Sequence, residues 1–173
     1  MAKLFLSGQF KFKRGRLEIL GVRDCFTPLV TYIEIQKFLM KNNPDLIYKS
    51  AKTAGYNWFK KMAEIYPGMT QTKAIEWGMN FISLSGWGVL KVESLDKDKK
   101  KVVFKLENST LAKEYGVKGE VVDFFFVGLA AGGMSYILKA DLDGVETKCI
   151  AKGDKFCTFL VANKEELKKR ILK

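Results

Sequence analysis

The sequence predicts an α+β fold in which an antiparallel β-sheet has helices packed on one side. Hydrophobic residues repeat with the helical period in some segments and alternate with polar residues in others, which indicates both helices and strands. The predicted strands follow one another in consecutive pairs, as antiparallel hairpins require. With 173 residues and 47% hydrophobic content, one sizeable core is expected, so residues 1–173 are interpreted as a single domain.

Two short strands are predicted at the N-terminus. Residues 3–12 and 16–22 are rich in residues that favour β-structure. Arg14 and Gly15 stand between them and provide a turn. We therefore expect a hairpin before the first helix.

Three helices are predicted next, each from the residues at its start. Thr27-Pro28 predicts the first helix, with threonine at the cap and proline in the first turn. Asn43-Pro44 predicts the second helix in the same way. Thr70 is the expected cap of the third helix.

The second half of the chain is predicted to contain two hairpins and two helices. Residues 87–94 and 102–106 alternate apolar and polar side chains on either side of a charged loop. A helix is expected over residues 121–138, and its three interior glycines predict close packing against a neighbour, because glycine otherwise weakens a helix. A second hairpin follows Glu146, and Asn163 is expected to cap the last helix.

Two of the three cysteines lie symmetrically about Gly153, and this spacing predicts a site. A hairpin with its loop centred there places Cys149 opposite Cys157, with Cβ atoms roughly 4.5–5.5 Å apart. At that separation two thiols can share a zinc ion or form a disulfide. Glu146 and Asp123 favour the metal, because carboxylates bind borderline cations and have no part in a disulfide. A pair of reduced, half-buried thiols is the third interpretation.

The residues from Asp123 to Gly132, and the pattern Glu146-x-x-Cys149-x-x-x-Gly153-Asp154-x-x-Cys157, resemble the 4-vinyl reductase domain family. The similarity extends over most of the chain, with segments 86–90 and 106–109 in the expected order. The resemblance implies an α+β domain related to TRAPP transport-complex subunits and to the sensor domains of phenol- and xylene-responsive activators. It also implies a dimer with an apolar pocket for small molecules.

The same resemblance implies a structural zinc ion beside the pocket, with Asp123, Glu146, Cys149 and Cys157 as its ligands. Asp123 stands where the sensors have a cysteine, and a carboxylate in place of a thiolate implies lower zinc affinity. Glu146 and Cys149 are three positions apart, so a regular strand would point them to opposite faces. We therefore expect a bulge or a strand end near Thr147.

The formal net charge of +11 raises the hypothesis of nucleic-acid binding. Much of the excess lies in a predicted turn around residues 97–101 and on the last helix, where lysines alternate with Glu165 and Glu166. No helix-turn-helix or aromatic RNA-binding motif accompanies them. Solvated surface charge is favoured, and a nucleic-acid partner is not expected. Richness in lysine and glutamate would also suit a thermophilic source.

The chain contains no histidine, which excludes Ser-His and Cys-His catalytic dyads. Nucleotide-binding fingerprints are also missing from the sequence. An enzyme, either a reductase or an accessory protein of tetrapyrrole metabolism as the family name implies, is therefore the less favoured alternative. No run of about 18 apolar residues predicts a membrane span, and no secretory signal is evident. We expect a cytoplasmic protein with reduced cysteines.

The favoured function is the binding of a small apolar or aromatic molecule, by a sensor or accessory that acts through a partner. The 13 phenylalanines and three tryptophans make such a pocket easy to build. A homodimer is expected from the resemblance and from the apolar content of residues 29–40, which exceeds what one core-facing stripe needs. A dimeric scaffold with a filled pocket is the rival hypothesis. The predicted pocket residues are Trp77, Phe81, Trp87, Phe104, Phe125 and Tyr136.

Overall fold

The structure is a computed structural model that describes residues 10–43, 45–116 and 119–171. Residues 3–9 of the first predicted strand and Pro44 lie outside the described residues. The strands are β1 (Phe10–Lys13), β2 (Arg16–Ile19), β3 (Val22–Asp24), β4 (Val89–Asp96), β5 (Lys101–Glu107), β6 (Asp143–Lys148) and β7 (Cys157–Ala162). The α-helices are α1 (Leu29–Asn42), α2 (Asp45–Ile65), α3 (Gln71–Leu84), α4 (Thr110–Glu114), α5 (Phe124–Leu138) and α6 (Lys164–Ile171).

The strands form two antiparallel sheets, and the predicted α+β fold is confirmed. Strands β1, β2 and β3 pair in that order in a small N-terminal sheet. The second sheet has the order β4-β5-β7-β6, so the last strand lies between two earlier ones. Every residue of β7 is buried, as this central place requires. Within the described ranges, no helix is long and apolar enough to cross a membrane.

Side chains alternate between the two faces of the four-stranded sheet. Phe104 of β5 and Phe159 of β7 face the main core, which also contains apolar residues of α1, α3 and α5. Leu160 points the other way and belongs to a smaller cluster with Leu167 of α6. The long helices thus cover one face, as predicted, and the short α6 adds cover to the opposite face.

Two predicted element ends in the N-terminal part are wrong. Helix α1 begins at Leu29, after Pro28, and no side chain caps it, so Thr27 is not the cap. The strand predicted over residues 16–22 breaks at Leu20 and Gly21, whose φ angles are 54° and 76°. Such positive φ angles turn the chain, and glycine adopts them at little cost. A third short strand follows the turn.

Side-chain caps are confirmed at two helices and found at one that the sequence did not predict. Thr70 Oγ1 accepts a hydrogen bond from the backbone N–H of Lys73 at 3.3 Å. Asn163 Oδ1 accepts one from Glu166 at 2.9 Å. The unpredicted helix is α4, where the Ser109 hydroxyl accepts a hydrogen bond from the backbone N–H of Ala112 at 3.1 Å.

Helices α2 and α5 cross with their backbones in contact, because glycines occupy the crossing. A Cβ atom at Gly132 would overlap the backbone carbonyl of Lys52. From the other side, a Cβ atom at Gly55 would overlap the backbone carbonyl of Leu129. The close packing predicted for the glycines of residues 121–138 is therefore confirmed, and it offsets their low helix propensity.

A polar contact also ties α2 to β6. The Tyr48 hydroxyl donates to Asp143 Oδ1 at 2.9 Å, and Lys52 Nζ donates to the same oxygen at 2.7 Å. Burial alone would raise the pKa of Asp143, but the hydrogen bonds from Lys52 and Tyr48 hold it below its usual value. This side of the crossing is thereby fixed by charge as well as by packing.

Gly132→Ala is expected to lower the free energy of unfolding by about 3 kcal/mol, because the added methyl group meets rigid backbone on α2. Urea denaturation measures the change. Ser50→Ala, on the exposed side of α2, is the control and should stay within about 0.5 kcal/mol of the parent. Equal denaturation midpoints for the two variants would contradict the backbone contact.

Candidate metal centre and apolar cavity

The hairpin of β6 and β7 brings Glu146 and the two buried cysteines to one place. The pairing register shifts by one residue between Glu146 and Lys148, which makes Thr147 the extra residue of a bulge. The irregularity predicted near Thr147 is therefore confirmed, and it removes the conflict between the faces of Glu146 and Cys149. One position beyond the last strand pair, Cys149 lies across the hairpin from Cys157.

Asp123, the residue directly before α5, lies at the same place. One ligand atom from each of Asp123, Glu146, Cys149 and Cys157 lies within 4.8 Å of the other three. Asp123 and both cysteines are fully buried, and Glu146 is half-buried. The structure thus brings together a group of two carboxylates and two thiols that is capable of binding a metal ion.

Each carboxylate in this group has one oxygen held by the protein and one left over. The Ser109 hydroxyl donates to Asp123 Oδ1 at 3.0 Å, and the backbone N–H of Asp123 donates to Glu146 Oε2 at 3.0 Å. The remaining oxygens, Asp123 Oδ2 and Glu146 Oε1, are buried, and within the described ranges neither accepts a hydrogen bond of normal geometry. Their neighbours are the two thiols and, for each carboxylate, the other one. Buried oxygens without proper donors are costly, and a cation between them would offset that cost.

The four groups also shift one another's proton affinity. Burial raises the pKa of Asp123 to about 6, and burial followed by the Asp123 charge raises the pKa of Glu146 to about 10. The hydrogen bond between the thiols lowers the pKa of Cys149 to about 5 and raises that of Cys157. Without a cation, these shifts favour the protonated forms of Glu146 and Cys157 and the charged form of Cys149.

The donor set fits zinc. Cys149 and Cys157 are free thiols, and the backbone N–H of Ile150 donates to Cys157 Sγ at 3.3 Å. Two sulfurs and two carboxylate oxygens match the number and kind of ligands in tetrahedral zinc sites. Such a set would leave no coordination position open, which is typical of a structural ion rather than a catalytic one.

An apolar cavity of about 710 Å³ lies between the N-terminal sheet, the helices and the four-stranded sheet. Aromatic pairs brace its walls: the Trp87 ring lies 5.2 Å from Tyr32 and 5.3 Å from Phe126. At another part of the wall, the Trp58 ring lies 5.1 Å from Phe81. These ring contacts, mostly edge-to-face or tilted, are favourable and geometrically specific.

Four of the six predicted pocket residues line this cavity, namely Phe81, Trp87, Phe104 and Phe125. Trp77 lies elsewhere, with its ring 4.7 Å from Tyr66 in the cluster under the N-terminal sheet. Tyr136 lines a separate, more polar groove between α2 and α5, where its ring lies 5.3 Å from Tyr56. Both differences reflect helix phase, because the cavity-facing stripes of α3 and α5 pass beside these two positions.

Several residues of the two sites were not assigned to them from the sequence. Periodicity places Trp58 on the apolar side of α2, but it does not identify the neighbour that this side faces. Tyr32 of α1 and Phe59 of α2 also line the cavity. They were not predicted as pocket residues for the same reason. The signal for Ser109 was its capping position before α4, which fixes the hydroxyl beside Asp123.

Helix α5 connects the candidate metal-binding group, formed by Asp123, Glu146, Cys149 and Cys157, to the cavity. Asp123 directly precedes the helix, and Phe125 and Phe126 in its first turn line the cavity. The Tyr32 ring of α1 lies 4.9 Å from Phe125. Burial, followed by the charge of Asp123, raises the pKa of Tyr32. The candidate metal-binding group and the cavity therefore both adjoin helix α5, and Tyr32 of α1 lies near both.

Comparison with solved structures identifies the fold. The phenol-responsive sensory domain of the transcription activator PoxR, solved with phenol, superposes with a TM-score of 0.75 at 16% identity, over 95% of this chain and 89% of that one. This chain has the fold of that sensory domain. A vinyl-4-reductase family protein of Methanocaldococcus jannaschii superposes with a TM-score of 0.53 at 18% identity, over 80% and 82% of the two chains. The fold that the sequence resemblance implied is confirmed.

Other comparisons reach less far. A trafficking protein particle complex subunit 3 from Naegleria fowleri, covalently bound to palmitic acid, gives a TM-score of 0.47 at 14% identity, over 79% of this chain and 92% of that one. No protein-family model matches the chain. Two uncharacterized proteins of Methanocaldococcus jannaschii, MJ0745 and MJ0150, are 36% and 30% identical over 81 and 80 residues. These matches cover 47% and 46% of this chain. They cover 42% and 45% of the two relatives, so the chain spans less than half of the length of either.

Helix α1 carries apolar side chains on its outer side as well as its inner side. Val30 and Phe38 are 64% and 67% exposed, and Phe26 just before the helix is 76% exposed. The inner side buries Ile33 and Gln36. Large exposed apolar side chains grouped in this way are typical of interaction surfaces.

Proposed function

We propose that the protein binds a small apolar or aromatic molecule and acts through a partner, as a sensor or accessory domain in the cytoplasm. The cavity of about 710 Å³ carries this proposal, since small-molecule sites span about 300–1,000 Å³. Its aromatic walls suit an apolar ligand, because they remove apolar surface from water on both molecules. A fold in common with a phenol-responsive sensory domain supports a role of the same class.

The packing around the cavity offers a route from ligand to surface. A ligand in contact with Phe125 would also limit the movement of Tyr32, whose ring packs on Phe125 and Trp87. Tyr32 lies on the inner side of α1, while Phe38 on the same helix is exposed. Ligand binding would thus stabilise one position of α1 and of the apolar surface that α1 presents to a partner.

We also propose that Asp123, Glu146, Cys149 and Cys157 hold a structural zinc ion. The two buried oxygens without donors, together with two thiols, support this assignment. A bound ion would supply charge balance and would join the β6–β7 hairpin to the start of α5. Because α5 forms a wall of the cavity, the same ion would keep that wall in place.

A homodimer formed through α1 is the further part of the proposal. The exposed side chains of Val30, Ile35 and Phe38 on α1 favour it, because an uncovered apolar helix face gains from burial. A scaffold without a ligand would rely on this surface alone. The size of the cavity favours ligand binding over that alternative.

Ethylnaphthalene is expected to raise the melting temperature of the protein, because a ligand that binds only the folded state stabilises it by mass action. The gain is about 2.7 kcal/mol at a ligand concentration of 100 times Kd. Ala130→Phe, which fills the cavity from α5, should abolish the shift measured by scanning fluorimetry. Ala140→Phe, beside the polar groove, should preserve it. No shift with the parent protein at saturating compound would refute the proposal.

Zinc binding is expected to strengthen steeply as pH rises through neutrality. At pH 7 Glu146, with a pKa of about 10, and Cys157, with a raised pKa, hold protons that the ion must displace. Loss of two protons corresponds to an affinity gain of about a hundredfold per pH unit. Below about pH 6 Asp123 is also protonated and weakens binding further. Competition with a chromophoric chelator between about pH 6.5 and about pH 7.5 measures the slope.

Matched variants separate zinc from the alternatives at this site. Cys157→Ser should lower both zinc content and melting temperature, while Asp123→Cys should raise zinc affinity by adding a thiolate. Cys25→Ser, at an exposed thiol, should change neither. A disulfide predicts the opposite behaviour, namely indifference to chelators and a loss of stability on adding a reductant.

Phe38→Asp is expected to convert a dimer to a monomer, because a charge in the centre of an apolar interface is poorly solvated. Light scattering at micromolar concentration measures the mass, and the chain mass is 19.6 kDa. Thr53→Asp adds the same charge at an exposed position of α2 and should leave the dimer intact. A parent protein with the mass of one chain would rule out the dimer.

A further inference from the structure

The cavity walls carry almost no charge. Among the described lining residues, Asp24 is the only one with an ionisable acidic or basic side chain other than the weakly acidic cysteine and tyrosine. This composition is unusual for the chain, which has 30 lysines and arginines against 19 aspartates and glutamates. A chain so rich in lysine therefore places none of its described lysines or arginines at the cavity, so no described cation is there to pair with a carboxylate or phosphate of a ligand.

Asp24 lies at the solvent side of the cavity. It ends β3 and is followed by Cys25, Phe26 and Thr27, which also line the cavity and are exposed. One carboxylate oxygen, Oδ1, accepts a hydrogen bond from the backbone N–H of Cys25 at 2.7 Å. None of the ion pairs found among the described residues involves this carboxylate. The second oxygen is therefore available to a ligand.

The aromatic rings behind Asp24 also favour a cation over an anion. Tyr32, Trp58 and Trp87 line the cavity, and the faces of aromatic rings carry a negative potential that attracts cations and disfavours anions. Transfer of an anion from water into a cavity without lysine or arginine side chains is costly. An amine at the mouth would instead keep part of its hydration and gain the attraction of Asp24.

We infer that the cavity selects its ligand by charge: it takes an apolar molecule that carries an amine, which Asp24 binds at the mouth, and it rejects apolar carboxylates. Uncharged molecules of the same shape rank between the two. This inference rests on the proposed ligand-binding function and specifies the class of ligand. It follows from the lining residues and the uncompensated carboxylate, independently of the metal-binding group.

Three compounds with one ring system test the ranking: naphthylmethylamine, ethylnaphthalene and naphthoate, all substituted at the same position. Isothermal titration at neutral pH gives the three affinities, and binding that persists in the filled Ala130→Phe variant is subtracted as surface binding. We expect the amine to bind about fivefold more tightly than ethylnaphthalene. Naphthoate should bind about a hundredfold more weakly than the amine.

Asp24→Asn isolates the contribution of the carboxylate. The asparagine retains a side-chain oxygen for the Cys25 N–H, so the local turn is kept. The amine should lose most of its advantage over ethylnaphthalene, whose own affinity should not change. Asp98→Asn makes the same charge change in the exposed turn after β4 and should leave all three affinities as they are.

The possible results separate the inference from the proposed function. Naphthoate binding as tightly as the amine, or an unchanged amine preference in Asp24→Asn, would overturn charge selection while ethylnaphthalene still binds. Binding of none of the three compounds would overturn the ligand-binding function and the inference with it. The ranking together with its loss in Asp24→Asn supports both.

Discussion

The backbone contact between α2 and α5 positions both sites. With glycines at positions 55, 128 and 132, no side chain separates the two helices at their crossing. Helix α5 can therefore lie deep in the core, where its start meets the β6–β7 hairpin at Asp123 and its inner side forms a wall of the cavity. Because packed interiors yield little to added volume, any displacement at the crossing would move the candidate metal-binding group and the cavity wall together.

The candidate metal-binding group imposes a second constraint, because ligand atoms of two carboxylates and two thiols lie within 4.8 Å of one another in a largely buried place. No basic side chain is among the causes that shift the pKa of Asp123 or Glu146. Such a group can be balanced either by retained protons or by a cation. The hydrogen bonds from Ser109 and from the Asp123 N–H hold one oxygen of each carboxylate in either state. The other oxygen of each carboxylate is thereby held in place, which would lower the cost of binding a cation.

Local features of the sequence were sufficient to predict much of the arrangement of the candidate metal-binding group. The symmetry about Gly153 predicted that Cys149 faces Cys157, and the odd spacing from Glu146 predicted the bulge at Thr147. The position of Asp123 came from resemblance, since no local pattern relates α5 to the hairpin. The cavity was harder to predict, because a helical period identifies a buried side without its neighbour. Trp77 and Tyr136 are aromatic and partly buried, yet each faces a different group of residues from the one that lines the cavity.

Close packing around Phe59 holds part of the cavity wall in place. The Phe59 ring is fixed between two helices, since a Cβ atom at Gly78 would lie 2.7 Å from it and one at Gly133 would lie 2.5 Å from it. Packing of this kind opposes a collapse of the walls, which would otherwise recover the dispersion contacts that an empty volume forfeits. A ligand of matching shape would restore those contacts without a rearrangement, so shape alone would favour any apolar molecule of suitable size. Discrimination among such molecules must come from the few polar groups present, and at the mouth the only charge among the described lining residues is that of Asp24.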